Sequence, residues 1–271
     1  MNPSRKVRLD LMTAKEVAAY LRRSDLAILP VGPTEFHGPR VPLGADVLQD
    51  TAMALMLAEE WDCVCLPPIS YVYGGASEHW PGTISISPEE SIAYVKAVAK
   101  SALAAGFHRL VLCASHGPMG FMAETVIRSI FRETGEVVLF LSPYARMVEE
   151  LQRDFGRGSE DLSTLGAVTF LGLEGCFDPH VERDEPEALP HENLVRLRPF
   201  GGRLPWLFNA DHQHTGLRSD IRADDGPRAA AAIRRAAAAM REVPALYDEY
   251  RRFLLRQMEE KPWEGDDIWS A

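Results

Sequence analysis

Cysteine is scarce: there are four in 271 residues. That is too few for a disulfide framework at this length, and none forms the CxxC pair of a structural zinc site. Cys63 and Cys65 alternate in one short apolar run, Cys113 sits in another, and Cys176 lies in a loop-like stretch, so buried free thiols are expected. Positive charge is also in deficit. With 29 Lys and Arg against 39 Asp and Glu, the formal net charge is −10. A surface of that sign repels phosphate backbones and anionic lipid, which argues against nucleic acid and membrane surfaces as partners. The chain lacks any run of about 18 apolar residues that could span a bilayer. Its first residues, MNPSRKVRLDLMTAKEV, are basic without a following apolar region, so no signal peptide is expected and a cytoplasmic location is. No internal repeat is visible. What is present, 46% hydrophobic and 25% charged residues, is the composition of a soluble globular chain with ample core material.

Short apolar runs alternate with helix-forming stretches through the first half. Strands are expected at Leu26–Val31, Cys63–Leu66, Leu110–Ala114 and Val137–Leu141, and helices at Asp50–Trp61, Pro88–Ala104 and Met119–Glu133. Pro88-Glu-Glu has the proline and acids that a helix N-terminus favours. This rhythm predicts an α/β fold with a mostly parallel sheet covered by helices, and right-handed crossovers would gather the loops after the strands along one sheet edge. From about Gly156 to Asn209 the composition changes, with an acidic run (Glu182 to Glu187), five prolines and Gly201-Gly202. It is read as a long insertion in a single domain, with one further strand at Val168–Leu171. Arg228 to Gln257 reads as an Ala/Arg/Glu-rich helix interrupted by Pro244.

Three polar clusters each follow a predicted strand. In Pro30-Val-Gly-Pro-Thr-Glu-Phe-His-Gly-Pro-Arg-Val-Pro-Leu-Gly-Ala-Asp46, Glu35 and His37 are two apart and face the same way in an extended backbone. Asp46 follows after a turn. Glu, His and Asp offer oxygen and imidazole ligands suited to Zn²⁺ or Mn²⁺; the plainer alternative is a loop in which Asp46 caps a helix. The second cluster, Gly74 to Thr83, carries Glu78 and His79, which could orient a substrate or be no more than a satisfied turn. In the third, His116 stands at the end of a strand beside a helix N-terminus, which would help keep it neutral and able to bind a metal.

These segments resemble the creatininase (creatinine amidohydrolase) family. Its opening motif, roughly PVGSxEQHGPHLPLGTD, is matched by PVGPTEFHGPRVPLGAD over Pro30–Asp46. The motif ending in GTISL is matched by GGASEHWPGTISI over Gly74–Ile86, and GFRRIVLVNGHGGN more loosely by GFHRLVLCASHGPMG over Gly106–Gly120. The resemblance implies a three-layer α/β/α sandwich, usually a homo-hexamer, with two divalent metal ions (Zn or Mn) at the carboxyl edge of the sheet. It implies that Glu35 and His116 hold one ion, His37 the other, and that Asp46 bridges them, so that a shared water attacks an amide. The family's HAG histidine, a proton carrier, corresponds to His214 in Gln213-His214-Thr-Gly216, which is thereby the candidate general acid or base.

The departures fall on the acidic ligands. The family's HAGExETS corresponds to His214-Thr-Gly-Leu-Arg-Ser-Asp-Ile221, with Leu217 and Ser219 where the glutamates would stand. Some members place a Glu two residues after the third-motif histidine, where this chain has Pro118. The second ion would then need another acid, and Asp220, Glu174 and Asp178 are the candidates. The expected function is a metal-dependent amidohydrolase of a small cyclic or linear amide. A metal-dependent isomerase or lyase of a polar metabolite, and a non-catalytic binding subunit, stand as the alternatives.

Overall fold

The computed structural model describes residues 7–181 and 183–260. The start of the N-terminal segment read for a leader, through Lys6, and Glu182 at the head of the acidic run lie outside them. A short helix, α1 (Ala14–Leu21), opens on a reciprocal cap between Thr13 and Glu16. The chain then lays down β1 (Leu26–Pro30), α2 (Ala45–Trp61), β2 (Val64–Cys65), α3 (Pro88–Ala104), β3 (Arg109–Cys113), α4 (Gly117–Thr134) and β4 (Leu139–Leu141). The strands form one all-parallel sheet in the order β2-β1-β3-β4. The expected span of α3 is met at both ends, and at its N-terminus Ser87 and Glu90 cap it reciprocally and Pro88 fills the first turn.

Both faces of the sheet are covered, as a parallel sheet requires. Ala27, Leu29, Leu110 and Leu112 point to one side, against Val95 and Ala99 of α3 and Met122, Val126 and Ile130 of α4. Leu26, Ile28, Val111 and Cys113 point to the other, against Met53 to Ala58 of α2 and a second set of helices. That set comprises α5 (Tyr144–Phe155), α8 (Gly226–Ala239) and α9 (Val243–Glu259). The result is the expected α/β/α sandwich. Cys63, Cys65 and Cys113 are buried free thiols and Cys176 is an exposed one.

The strand expected at Val168–Leu171 and the start of the insertion differ from the sequence reading. Val168–Leu171 is not a strand but the last turn of α6 (Glu160–Leu171), capped by Ser159. The β-branched run suggested a strand. However, α6 is buried on nearly all sides between α2 and α8, so it shows no helical periodicity. Gly166 makes this packing possible: a Cβ there would lie 2.8 Å from the Ala229 carbonyl carbon. Consequently the chain leaves the core only after Gly172, through an irregular stretch holding α7 (Glu192–Leu197), and returns near Ile221. The interruption expected at Pro244 falls between Ala239, where α8 ends, and Val243, where α9 begins, next to the proline. Pro244 sits in the first turn of α9, where the missing N–H costs nothing.

Candidate metal centre

The connections after β1 run one way in the sheet, to β2, and those after β3 run the other, to β4. A crevice therefore opens at the carboxyl ends of these adjacent strands, the switch point where open α/β sheets bind ligands. The loop after β1 is tied down by Val31 N–H donating to Cys113 O (2.9 Å) and closed by Glu35 N–H donating to Leu43 O (2.8 Å). It then enters α2. Gly32 passes so close to this helix that a Cβ would lie 2.7 Å from Val47 N. Asp46 lies two residues past the N-cap Gly44, inside the first turn, so its side chain is free to face the crevice rather than cap the helix.

Glu35, His37, Asp46 and His116, all buried, meet there, and His214 and Glu160 close the cluster. The same oxygen, Asp46 Oδ2, is 2.9 Å from His116 Nδ1 and 3.4 Å from His37 Nε2. Glu35 Oε1 is 3.2 Å from His116 Nδ1 and 3.8 Å from His214 Nε2. Glu160 Oε1 is 3.0 Å from His37 Nε2, and its other oxygen is 3.5 Å from His214 Nδ1. Glu35, Asp46 and His116 form one group of ligand atoms within 4.8 Å of one another, and His37, Asp46 and Glu160 form another.

Each imidazole is oriented from behind. His37 Nδ1 bonds to the Glu35 carbonyl (3.1 Å) and His116 Nε2 to the Tyr73 carbonyl (2.8 Å), so a different nitrogen of each ring faces the carboxylates. Ser77 donates to Glu35 Oε2. Ser115 N–H donates to Asp50 Oδ1 (2.8 Å), fixing the backbone just before His116. His214 is held between the rings of His37 and Phe208, at 4.1 and 4.8 Å between centroids. Thr215 Oγ1 donates to the His37 carbonyl.

The charges are strongly coupled. Burial would raise Asp46, but the imidazoles of His37 and His116 outweigh it and hold the carboxyl well below its ordinary range. Burial would lower His116, yet Asp46 and Glu35 lift it to about 10. His37 is likewise raised, by Asp46 and Glu160 against its burial. The carboxylates thus override the effect expected of the helix terminus at His116, and a bound cation would have to displace these protons. Asp50, one turn beyond Asp46, is pushed up by burial and by Asp46's charge.

Several expected residues fall elsewhere. Glu78 and His79 are exposed and do not line the cavity; Glu78 accepts from Ser85 Oγ (2.9 Å) and His79 lies against Trp80. Their loop acts through its other residues. Ala76 O accepts from Phe208 N–H and Trp80 Nε1 donates to Phe208 O, both at 2.9 Å, which brings Phe208 over the cluster. Asp220 pairs with Arg157 and Arg218, Asp178 accepts from His180 N–H, and Glu174 is on the surface, so none of the three joins the cluster. Glu160, Tyr144, Glu187, Trp206 and Phe208 were not anticipated. They wall a cavity of about 360 Å³ that opens onto Glu35, Asp46, His116 and His214.

Among known proteins, the chain matches the creatinine amidohydrolase family profile over residues 10–166. The chain belongs to the creatininase family. It is 36% identical over 107 residues to the 3-dehydro-scyllo-inosose hydrolase of Thermotoga maritima, covering 39% of this chain and 34% of that one. It is 31% identical over 119 residues to the creatinine amidohydrolase of Pseudomonas putida, covering 42% and 46%. These matches span less than half of either relative. A crystal structure of creatinine amidohydrolase superposes with a TM-score of 0.67 at 22% identity, over 86% of this chain and 96% of that one, which establishes the shared creatininase fold. No helix among the described residues is long and apolar enough to cross a membrane.

Proposed function

We propose that this creatininase-family chain is a metal-dependent amidohydrolase acting on a small cyclic or linear amide. One observation carries the reading. His37 Nε2, Asp46 Oδ2 and His214 Nδ1 are buried and, among the described residues, have no partner in hydrogen-bonding geometry, and all three belong to the same cluster. Buried polar atoms are ordinarily satisfied, so imidazoles and carboxylates packed this closely yet out of hydrogen-bonding alignment suit a cation that would replace their shared protons. The donor set of carboxylates and imidazoles suits Zn²⁺ or Mn²⁺. Glu35, Asp46 and His116 would hold one ion and His37 with Asp46 a second, Asp46 serving both. When bound, such ions supply Lewis-acid polarisation of a carbonyl and acidify water.

The remaining work belongs to the chain. His214 lies at the cavity wall with one nitrogen toward Glu35 and the other toward Glu160, placed to receive a proton from water and deliver it to the departing nitrogen. Its contact with Phe208 limits its freedom and screens it from bulk water. Trp206, Phe208 and Tyr144 present aromatic surface to the substrate, and Glu187 adds an acid. Among the described residues no lysine or arginine lines the cavity, so a neutral or cationic amide fits better than an anion. The family's creatinine amidohydrolase supports the choice of an amide. Assembly into a homo-hexamer belongs to the same proposal, supported by exposed apolar residues such as Phe200, at 86% exposure.

The test is elemental analysis of protein purified without chelators, followed by turnover of neutral, cationic and anionic amides in oxygen-18 water. Bound Zn or Mn and one solvent oxygen in a new carboxylate are expected. A metal-free protein, or a product without solvent oxygen, overturns the reading.

A further inference from the structure

We infer that Gln49, on α2, is the specificity-determining residue of the cavity: its side-chain oxygen accepts an N–H of the substrate, so that secondary amides are admitted over their N-alkylated counterparts. The inference rests on the amidohydrolase reading above and narrows its substrate class.

Gln49 stands three residues after Asp46 in α2, and side chains at that spacing share a face of the helix. The helix rises only about 4.5 Å over that interval. One stretch of α2 therefore presents the carboxyl proposed for metal and, beside it, a carboxamide, and both line the cavity of about 360 Å³. Gln49 is 1% exposed. Its Nε2 donates to Thr164 Oγ1 of α6 (3.0 Å), which holds the carboxamide from behind. The other end, Oε1, is buried and has no hydrogen-bond partner among the described residues. With Nε2 committed to α6, Oε1 is the atom left for the cavity.

A packing role accounts for only half of this side chain. Joining α2 to α6 uses the nitrogen alone, and leaving the oxygen buried and unpaired is costly. The neighbouring donors are spent: Ser115 N–H goes to Asp50 Oδ1 (2.8 Å) and the Ser77 hydroxyl to Glu35. Among the described residues no lysine or arginine lines the cavity. The missing donor therefore belongs to what the cavity receives. Because Gln49 is uncharged, it reads the presence of an N–H rather than the net charge of the molecule. An N-methyl group in that place would remove the donor and press carbon onto Oε1. A site built to hydrogen-bond a substrate N–H rejects the analogue lacking it strongly, since the acceptor is then left unpaired.

The experiment uses the full, metal-loaded chain and two probes, hydantoin and 1,3-dimethylhydantoin. Affinity is measured by ligand-observed NMR titration, which also reports any hydrolysis. Wild type should prefer hydantoin by at least about a hundredfold. Gln49→Leu, and Gln49→Met as a second apolar variant, should weaken hydantoin and bring the ratio below about tenfold, with metal content unchanged. A purely structural role would weaken both probes alike and leave the ratio where it was. Thr164→Val breaks the link to α6 but keeps the acceptor, and should retain the preference. An unchanged ratio in the Gln49 variants, or a collapse in Thr164→Val as complete as in Gln49→Leu, overturns this inference and leaves the amide reading standing. A wild type that binds neither probe, or both equally, also overturns it, and the turnover test above then decides the amide reading by itself.

Discussion

Asp46 Oδ2 lies 2.9 Å from His116 Nδ1, and neither side chain is more than 5% exposed. The oxygen also faces His37, so one atom stands between the two groups proposed to hold metal. Asp46→Asn preserves shape and removes the charge. Both ions should be lost together, and activity should fall at least about a hundredfold, the scale of removing a group that acts on the transition state. Metal analysis of the purified variant checks this; full occupancy with normal turnover would refute the bridging role.

His214→Gln tests the proton carrier separately from metal. Turnover should fall by about 10²–10⁴-fold, with metal content unchanged. The pH–rate profile should lose one limb. A variant that instead loses metal would place His214 among the ligands.

pH acts on the metal-free protein through His116. Its folded pKa is raised to about 10, against about 6.5 in an unfolded chain. The stability it contributes is full below about pH 6.5 and is lost as pH rises through about 10. Thermal melts of chelator-treated protein should therefore decline across that window. Metal binding has the opposite sense: a protonated imidazole cannot ligate, so affinity should weaken as pH falls and binding should release protons. Calorimetry in buffers of different ionisation enthalpy measures that release.

Gly32→Ala should damage the centre without replacing any ligand side chain. The added methyl would collide with the backbone of Asp46 and Val47, which cannot yield as a side-chain tip can. A stability loss of about 1–3 kcal/mol is expected, with weakened metal affinity as α2 shifts. Denaturant titration of the stripped protein and a metal titration separate the two effects.

Arg40 is a buried guanidinium whose donors reach the carbonyls of Asp178, Pro179, Arg218 and Ile221, and it pairs with Asp161 at 3.4 Å. It fastens both ends of the irregular segment to the loop that carries His37. Arg40→Met should cost about 3–5 kcal/mol, because Asp161, already raised to about 6 mainly by burial, would be left buried without its guanidinium partner. Arg40→Met with Asp161→Asn should recover part of that loss in thermal melts, and hydrogen exchange should rise at 178–179 and 218–221.

The sheet and the convergence at its edge were legible because they rest on local signals. Apolar runs such as Leu26–Pro30 announce buried strands, Ser87, Pro88 and Glu90 announce a helix start, and the Glu35–Asp46 segment is contiguous. Glu160 could not be found this way. Ser159-Glu160-Asp161 reads as an ordinary acidic helix start, and nothing local says that α6 packs beside α2 with that end over His37. The same long-range packing hid α6 behind a strand-like run. Glu78 and His79 misled in the opposite direction: a contiguous polar motif signals a tight turn, but not which of its side chains turn inward.

Pro30 and Cys113 are Cα partners, so the two ligand-bearing loops leave the sheet from a common line about 4.8 Å apart. The strand register is thus a ruler for the site. A two-residue slip of β3 past β1, which keeps every side chain on its own face, would carry His116 about 7 Å along the strand, farther than the 4.8 Å that contains each ligand group. A lineage could lengthen, shorten or rewrite residues 172–209 and change what is admitted to the cavity. It could not move the paired ladder of Leu26–Pro30 and Arg109–Cys113 by a single step without dismantling the centre.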